Sequence, residues 1–137
     1  MNNQRRAEAM VATPPSIITA IVGCIASRLS IDDSFTLTLC GIDREIVLRI
    51  DGNGELERDN ICTAFDPDLD PISVMPLIGL LNRRIDTAEL GDDGQLTLFS
   101  AGVRLTVMPS EHAISWSVHG PNGIRASCIA EGRVVWE

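Results

Sequence analysis

The sequence contains no lysine and no tyrosine, and it has only two histidines and five aromatic residues. All of its positive charge is therefore arginine, and eleven arginines stand against nineteen acidic residues, for a formal net charge of −8. Proteins that bind a phosphate backbone need a basic stripe, and those that bind single strands also need exposed aromatic platforms. These absences argue against nucleic acid as a partner.

Recognisable catalytic and metal-binding motifs are also missing. There is no G-x-S-x-G elbow and no glycine-rich phosphate loop, and the four cysteines form neither a C-x-x-C pair nor a zinc-like spacing with histidine. Residues 51–62 and 66–77 space their carboxylates as calcium loops do, but neither has the required glycine at position six and glutamate at position twelve. We therefore expect no catalytic residues, no metal site, no cofactor and no enzymatic activity.

The negative charge is concentrated in the middle of the chain. Residues 51–93 hold eleven acidic residues and only three arginines, namely Arg58, Arg83 and Arg84, so that this segment alone accounts for −8. In the remaining residues the positive and negative charges cancel. Such a segment either steers a basic partner towards the protein or forms an ordinary solvated surface, and the sequence leaves both interpretations open.

The N-terminal residues 1–21 are predicted to form an extension, with a helix over residues 3–12. The letters "IVGC", which end at Cys24, resemble a lipoprotein cleavage box behind two arginines. Glu8 and the Pro14-Pro15 pair interrupt the apolar stretch that such a signal needs. We expect a cytoplasmic protein without a membrane contact, and the alternative is a secreted lipoprotein anchored at Cys24. No stretch is as long as a membrane helix.

Two segments of the chain repeat one pattern. Residues 22–50 and 78–107 each contain an Asp-Asp turn, a Leu-Thr-Leu strand and a closing strand, and the spacing between the copies changes only at the loops, where insertions are tolerated. Apolar and polar residues alternate along these strands, as is typical of half-buried antiparallel strands. Each copy is predicted to be a three-stranded meander.

The rest of the chain completes a single β domain over residues 22–137. Residues 51–77 are predicted to cross from one repeat to the other, and residues 108–137 to form C-terminal hairpins with turns at "GPNG" and at Glu131-Gly132. Eight or nine short strands are best buried in an antiparallel sandwich or a partly open barrel. The predicted fold class is all-β with one or two short helices, one of them near residues 72–80.

Three stretches carry a resemblance to a known family: "FDPDLDP", "GDDGQLTLFSAGVRLTV" and the tail "WSVHGPNGIRASCIAEGRVVW". With them, the chain over residues 22–136 resembles an uncharacterised family of small actinobacterial proteins that is classed as a domain of unknown function. The resemblance supplies no catalytic residues. Similar small domains sometimes lie beside toxin genes, and the resemblance therefore implies an immunity-like role.

The candidate partner-binding residues come from two acidic turns and the C-terminus. In "DPDLDP", Asp70 is predicted to cap a short helix that begins at Pro71, and the preceding aspartates add acidic surface. The Asp-Asp pair of the second repeat adds two more carboxylates, and a tryptophan near the C-terminus is suited to anchoring an interface. The candidates are Asp66, Asp68, Asp70, Asp92, Asp93 and Trp136.

Two functions from different classes fit these observations. The first is a non-catalytic protein-binding domain, in its sharpest form an acidic immunity or antitoxin-like protein that neutralises a basic toxin through complementary charge. The alternative is a β-barrel that binds a small molecule or a lipid, which predicts an apolar internal cavity. A homodimer is compatible with both functions, because open sheets leave edges that need covering.

Overall fold

The structure is a computed structural model that describes residues 14–32, 34–121 and 123–136. The helix predicted over residues 3–12 lies outside the described residues. Among the described residues, eleven strands form two antiparallel sheets. The strands are β1 (Ile25–Ile31), β2 (Phe35–Gly41), β3 (Arg44–Ile50), β4 (Gly54–Arg58), β5 (Ile61–Phe65), β6 (Thr87–Leu90), β7 (Leu96–Ser100), β8 (Val103–Val107), β9 (Trp116–His119), β10 (Arg125–Cys128) and β11 (Val134–Trp136).

The two sheets face each other as a sandwich. One has the strand order β1-β2-β3-β9-β10-β11 and the other the order β5-β4-β8-β7-β6. Alternate residues of each strand point inwards, so that the core combines leucine, isoleucine and valine side chains from both sheets with Trp116, which is 1% exposed. The prediction of an all-β fold is confirmed, and of its two architectures the sandwich is the one that forms.

The sequence repeat corresponds to one meander in each sheet. Strands β1–β3 form the first meander and β6–β8 the second, and in both the last two strands are joined by a two-residue turn. Leu37 pairs with Leu48 in the first meander, and Leu98 with Leu105 in the second. The repeat therefore builds the two facing halves of the sandwich.

The segment predicted as a crossover contains a further hairpin. Strands β4 and β5 pair through a turn at Asp59-Asn60, where both residues adopt positive φ angles of 54° and 65°. Asp and Asn tolerate this left-handed conformation better than other residues with a side chain, and the turn therefore forms. These two strands were not among the eight or nine expected, and the structure has eleven strands in the described residues.

Two helical segments close the sides of the sandwich. Helix α1 (Pro14–Ile21) begins at a proline, which is compatible with a first helical position, and its residues Ile17, Ala20 and Ile21 are buried in the core. A 3-10 helix follows β5 over Pro71–Leu80 and buries Val74, Leu77 and Leu80. This second helix is the one that the sequence predicts near residues 72–80.

The predicted cap of the 3-10 helix is present. The carboxylate of Asp70 accepts a hydrogen bond from the backbone N–H of Ile72 at 3.2 Å, and Pro71 occupies the first helical position. A side-chain acceptor at this position satisfies one of the backbone N–H groups that a helix start leaves without a partner. The "DPDLDP" stretch is therefore both the end of a hairpin and the start of a helix.

Candidate functional site

Six loops meet at one end of the sandwich, which we call the acidic end. Their described residues are 32, 34, 51–53, 66–70, 91–95, 108–115 and 129–133. Backbone hydrogen bonds join loops of both sheets there, from Asp51 N to Ser115 O (2.9 Å), from Met108 N to Asn53 O (2.9 Å) and from Glu131 N to Ser110 O (2.8 Å). Loops that are far apart in the sequence thus form one surface.

Carboxylates dominate this surface. Nine described acidic residues lie in the six loops, where the basic side chains among the described residues are those of Arg133 and His112. The nine are Asp32, Asp51, Asp66, Asp68, Asp70, Asp92, Asp93, Glu111 and Glu131. Clustered charge of one sign raises the local concentration of oppositely charged partners and their association rate.

The other end of the sandwich, which we call the opposite end, has the reverse character. The described residues of its loops are 22–24, 42–43, 59–60, 81–86, 101–102, 120–121 and 123–124. They and the strand residues that flank them carry Arg44, Arg58, Arg83, Arg84 and Arg125, against Asp43, Asp59 and Asp86. The net charge of −8 is therefore distributed unevenly along the strand direction.

Four of the acidic-end aspartates also have a local structural role. The carboxylates of Asp32 and Asp93 accept hydrogen bonds from the backbone N–H groups two residues later, both at 3.0 Å. Asp66 accepts two such bonds, from Asp68 N (3.1 Å) and Leu69 N (3.2 Å), and Asp70 caps the 3-10 helix. Asparagine can make the same bonds, so turn formation alone does not require these residues to be charged.

Three further acidic residues have charges without a local use. The carboxylates of Asp68, Asp92 and Glu131 make no hydrogen bond or ion pair within the described part of the chain. Glu131 also adopts a left-handed backbone conformation with a φ of 66°, which is unfavourable for a glutamate. The fold itself therefore does not use the negative charge of these three side chains.

Two cavities are each lined in part by the loop 108–115. The first, of about 240 Å³, is lined by the carboxylates of Asp51, Asp66 and Asp68 and by the side chains of Asn53 and Ile114. Asp51 is partly neutralised by Arg49, whose Nε lies 3.1 Å from its Oδ2. The cavity thus offers several oxygen acceptors beside one exposed apolar side chain.

The second cavity, of about 470 Å³, shares Ser110 with the first. It is lined by the carboxylates of Asp93, Glu111 and Glu131 together with His112 and Pro109. Neighbouring acidic cavities of this kind suit the basic side chains of an extended segment, because a guanidinium or ammonium group finds both charge and hydrogen-bond acceptors in each.

Buried contacts hold this end in place. The indole N–H of Trp116, at the start of β9, donates a buried hydrogen bond of 2.9 Å to the carbonyl oxygen of Gly94 in the facing sheet. A Cβ on Gly132 would overlap the carbonyl oxygen of Asp93, so that only glycine allows these two loops to pack so closely. The loop 91–95 is thereby fixed against both the tryptophan and the loop 129–133.

Five of the six candidate residues from the sequence lie at the acidic end. Asp66, Asp68 and Asp70 are on one loop, and Asp92 and Asp93 on another. Trp136 lies apart, because it pairs with Ala126 on the edge strand β11 and packs half-buried against the core. Its role at an interface stays a prediction.

The structure adds acidic residues that the sequence did not single out. Asp51, Glu111 and Glu131 stand alone in the sequence, without a neighbouring carboxylate to attract attention. Strand direction is the feature that could have identified these residues. Each of them lies in a loop that follows a strand running towards the acidic end or precedes a strand that leaves it.

Two of the four cysteine thiols are less reactive than an ordinary thiol. All four cysteines are free, and the pKa values of Cys62 and Cys128 are both raised, chiefly by desolvation and, for Cys62, also by the carboxylates of Glu57 and Glu55. A raised pKa lowers the fraction of reactive thiolate. The imidazole Nε2 of His112 lies 3.8 Å from the Glu111 carboxylate, and both side chains are exposed.

Neither a metal centre nor a membrane span is found in the part of the chain that the structure describes. No three His, Cys, Asp or Glu side chains there are arranged to hold a metal ion. No helix there is both long and apolar enough to cross a membrane.

The fold and its charge distribution define a small all-β sandwich with an acidic loop end. The chain belongs to a family of unknown function, DUF6188, whose model matches residues 17–137. The match begins inside α1 and includes both meanders and the C-terminal hairpins. No curated protein and no solved structure matches the chain.

Proposed function

We propose that the protein is a non-catalytic protein-binding domain that receives a basic segment of its partner at the acidic end. The observation that carries this proposal is the gathering of nine carboxylates on loops of both sheets, six of which belong to residues that line two adjoining cavities. In this arrangement the loop 108–115 lines both cavities, and basic side chains of the partner enter each of them.

The apolar and structural features of this end support the same proposal. Ile114 is 47% exposed beside the first cavity, which gives an apolar contact at the centre of a charged rim, as protein interfaces commonly have. The loops are fixed by Trp116 and Gly132, so that binding requires little ordering and loses little entropy. In its sharpest form the proposal is an immunity or antitoxin-like domain that neutralises a basic toxin.

We propose a cytoplasmic location over a lipid anchor at Cys24. The Cys24 side chain is fully buried, and its thiol donates a hydrogen bond to the Ala20 carbonyl oxygen at 3.2 Å. Cleavage before Cys24 would also remove Ile17, Ala20 and Ile21 from the core. Mass spectrometry of the protein from its native host tests this directly: an intact, unlipidated chain supports the proposal, and a chain that begins at a diacylated Cys24 contradicts it.

The binding proposal is tested with a fluorescently labelled arginine-rich peptide and two pairs of substitutions. Asp68→Asn with Asp92→Asn removes two charges from the acidic end without removing a hydrogen bond. Asp43→Asn with Asp59→Asn removes the same charge from the opposite end, where asparagine keeps the left-handed turn.

The acidic-end pair is expected to weaken binding by roughly three- to tenfold in fluorescence anisotropy, as losing two exposed charge contacts would. The opposite-end pair is expected to change binding less than twofold. Higher salt should weaken binding to the unsubstituted protein, because the contacts are screened. Equal losses from both pairs would show that net charge, and not this site, attracts the peptide.

A further inference from the structure

The 3-10 helix and the residues that flank it expose large apolar side chains to solvent. Every third residue from position 69 to position 81 is large, apolar and exposed, and Leu69 and Ile72 are 83% and 76% exposed. We call this line the apolar ridge, and it consists of Leu69, Ile72, Met75, Ile78 and Leu81.

The geometry of the helix explains the ridge. A 3-10 helix has three residues per turn, so side chains three positions apart lie directly above one another. Val74, Leu77 and Leu80 use this period to reach the core, and Ile72, Met75 and Ile78 repeat it on a face that the described residues leave uncovered. Leu69 and Leu81 flank the helix at its two ends. An exposed apolar row of this kind marks an interaction surface more often than ordinary solvent-facing surface.

The two ends of the ridge carry opposite charges. The helix begins at the acidic end, next to Asp66, Asp68 and Asp70, and it ends at the opposite end, where Arg83 and Arg84 follow. The guanidinium of Arg58 also lies at the opposite end, because its Nη1 is 3.0 Å from the position that a Cβ on Gly79 would take. All three arginines of residues 51–93 thus gather at one end of the ridge.

Two of these arginines have charge to offer a partner. Arg83 is used within the chain, because it donates hydrogen bonds to the carbonyl oxygens of Gly79 (2.9 Å) and Ala101 (3.0 Å). Arg58 and Arg84 are exposed, and neither makes an ion pair with any of the described residues.

The step of three also makes the pattern symmetric about its centre. Asp66 precedes the ridge by three residues and Arg84 follows it by three, with Met75 midway between them. Turning the ridge end over end therefore places acid on arginine at both ends and apolar side chains on apolar side chains between them. A two-fold axis produces this self-complementary contact between identical surfaces.

We propose that the apolar ridge is the contact surface of a homodimer, in which a second copy of the chain packs its own ridge antiparallel to the first. The axis passes near Met75, and the aspartates at the start of each ridge face Arg58 and Arg84 of the other copy. This contact lies along the side of the sandwich and does not depend on the binding of a basic partner at the acidic end.

The size of the ridge sets the expected strength. Five side chains on a short helix bury less than the roughly 800 Å² per partner of a standard stable interface. Ile61, which pairs with Arg58 across the β4–β5 turn and is 67% exposed, extends the apolar surface at the arginine end. A dimer of about micromolar affinity is therefore expected.

Sedimentation equilibrium of the full chain without any peptide tests the ridge. The unsubstituted protein is expected to change from monomer to dimer as its concentration rises through the micromolar range. Ile72→Asp should weaken the dimer at least tenfold. Ile42→Asp makes the same change at a residue that is 87% exposed on the β2–β3 turn, and it should leave the dimer unchanged. A protein that stays monomeric at about 200 µM would overturn the proposal, as would a dimer that Ile72→Asp does not weaken.

A charge exchange tests the antiparallel arrangement. Asp68→Arg and Arg84→Asp should each weaken the dimer, and the double variant should regain most of the affinity because both contacts are restored with reversed sign. Ten 3-10 residues separate the two sites by about 20 Å, beyond the roughly 10 Å screening length at 0.1 M salt. Recovery in the double variant therefore comes from contact between two chains. A double variant weaker than either single variant would contradict this arrangement.

A shortened chain separates the dimer from coverage of the ridge by the protein's own N-terminus. Removal of residues 1–13 should leave the dimer affinity unchanged. A full-length monomer that becomes a dimer only after this removal would assign the ridge to the N-terminal segment and would overturn the proposal for the intact protein.

Discussion

The two ends of this sandwich are built on the same strands and differ almost entirely in their loops. At the opposite end, residues 42–43, 59–60 and 101–102 are two-residue turns, and residues 81–86 form a longer loop. At the acidic end, the loops 66–70, 91–95 and 108–115 each have five residues or more, and the first two carry the unpaired carboxylates of Asp68 and Asp92. The strands define the scaffold, and the two ends differ in the loops that it carries.

The charges at the two ends also serve the fold differently. At the opposite end, Arg44 donates a hydrogen bond from Nε to the Ala20 carbonyl oxygen (3.0 Å), and Arg83 connects two further carbonyl oxygens. These arginines tie α1 and the 3-10 helix to the sheets. Of the carboxylates at the acidic end, several have no such task, and their mutual repulsion opposes folding. The acidic end thus keeps a charge that stability does not require.

The largest expected effect comes from removing the anchor of the acidic end. Trp116→Ala should lower the free energy of unfolding by about 3–5 kcal/mol, because it deletes a buried indole and leaves a cavity. Trp116→Phe keeps most of the apolar volume but leaves the Gly94 carbonyl oxygen without its donor, at a cost of about 1–3 kcal/mol. Urea denaturation measures both, and equal losses for the two variants would show that the hydrogen bond, and not packing, dominates.

A smaller effect of the opposite sign is expected at Glu131. Glu131→Gly should raise the free energy of unfolding by up to about 1 kcal/mol, because glycine adopts a positive φ without the strain of a glutamate, although it loses more backbone entropy on folding. The matched change at the opposite end, Asp43→Gly, starts from an aspartate with a φ of 59°. Aspartate tolerates this conformation, so its replacement should gain less. A loss of stability on Glu131→Gly would refute the assignment of strain to this residue.

The smallest expected effect compares the electrostatic cost of the two ends. The paired change of Asp68 and Asp92 to asparagine should raise the Tm by about 1 °C at low salt and by less at high salt, because it relieves screened repulsion. The paired change of Asp43 and Asp59 removes the same charge from surroundings richer in arginine and should not raise the Tm. Thermal unfolding at two salt concentrations measures both, and an equal rise for both pairs would mean that repulsion is spread over the whole protein.

The meanders could be predicted from the sequence because their strands alternate cleanly. Leu37 and Leu105 each stand between two polar residues, and a period of two then determines which face is buried. The hairpin β4–β5 was not predicted, because β4 has a single large inward side chain, Leu56, between two glutamates. Its turn, Asp59-Asn60, lacks the glycine that most strongly signals a hairpin.

The candidate site was predictable only where its residues are neighbours in the sequence. Asp66, Asp68 and Asp70 lie within five residues, and the turn chemistry of aspartate indicated a loop. The set of loops that lie together at one end depends on the direction of every strand and on the pairing of β3 with β9. Both are long-range properties that local pattern does not contain, and the twin cavities therefore emerge only from the structure.

Our main proposal is that the acidic end binds a basic partner. It is tested most directly by assigning the backbone amides by NMR and adding an arginine-rich peptide at physiological salt. We expect the shifted amides to cluster in loops 51–53, 66–70, 91–95, 108–115 and 129–133. The amide chemical shifts of the opposite end should stay unchanged. Shifts that concentrate at the opposite end, or that spread evenly over the surface, would contradict it.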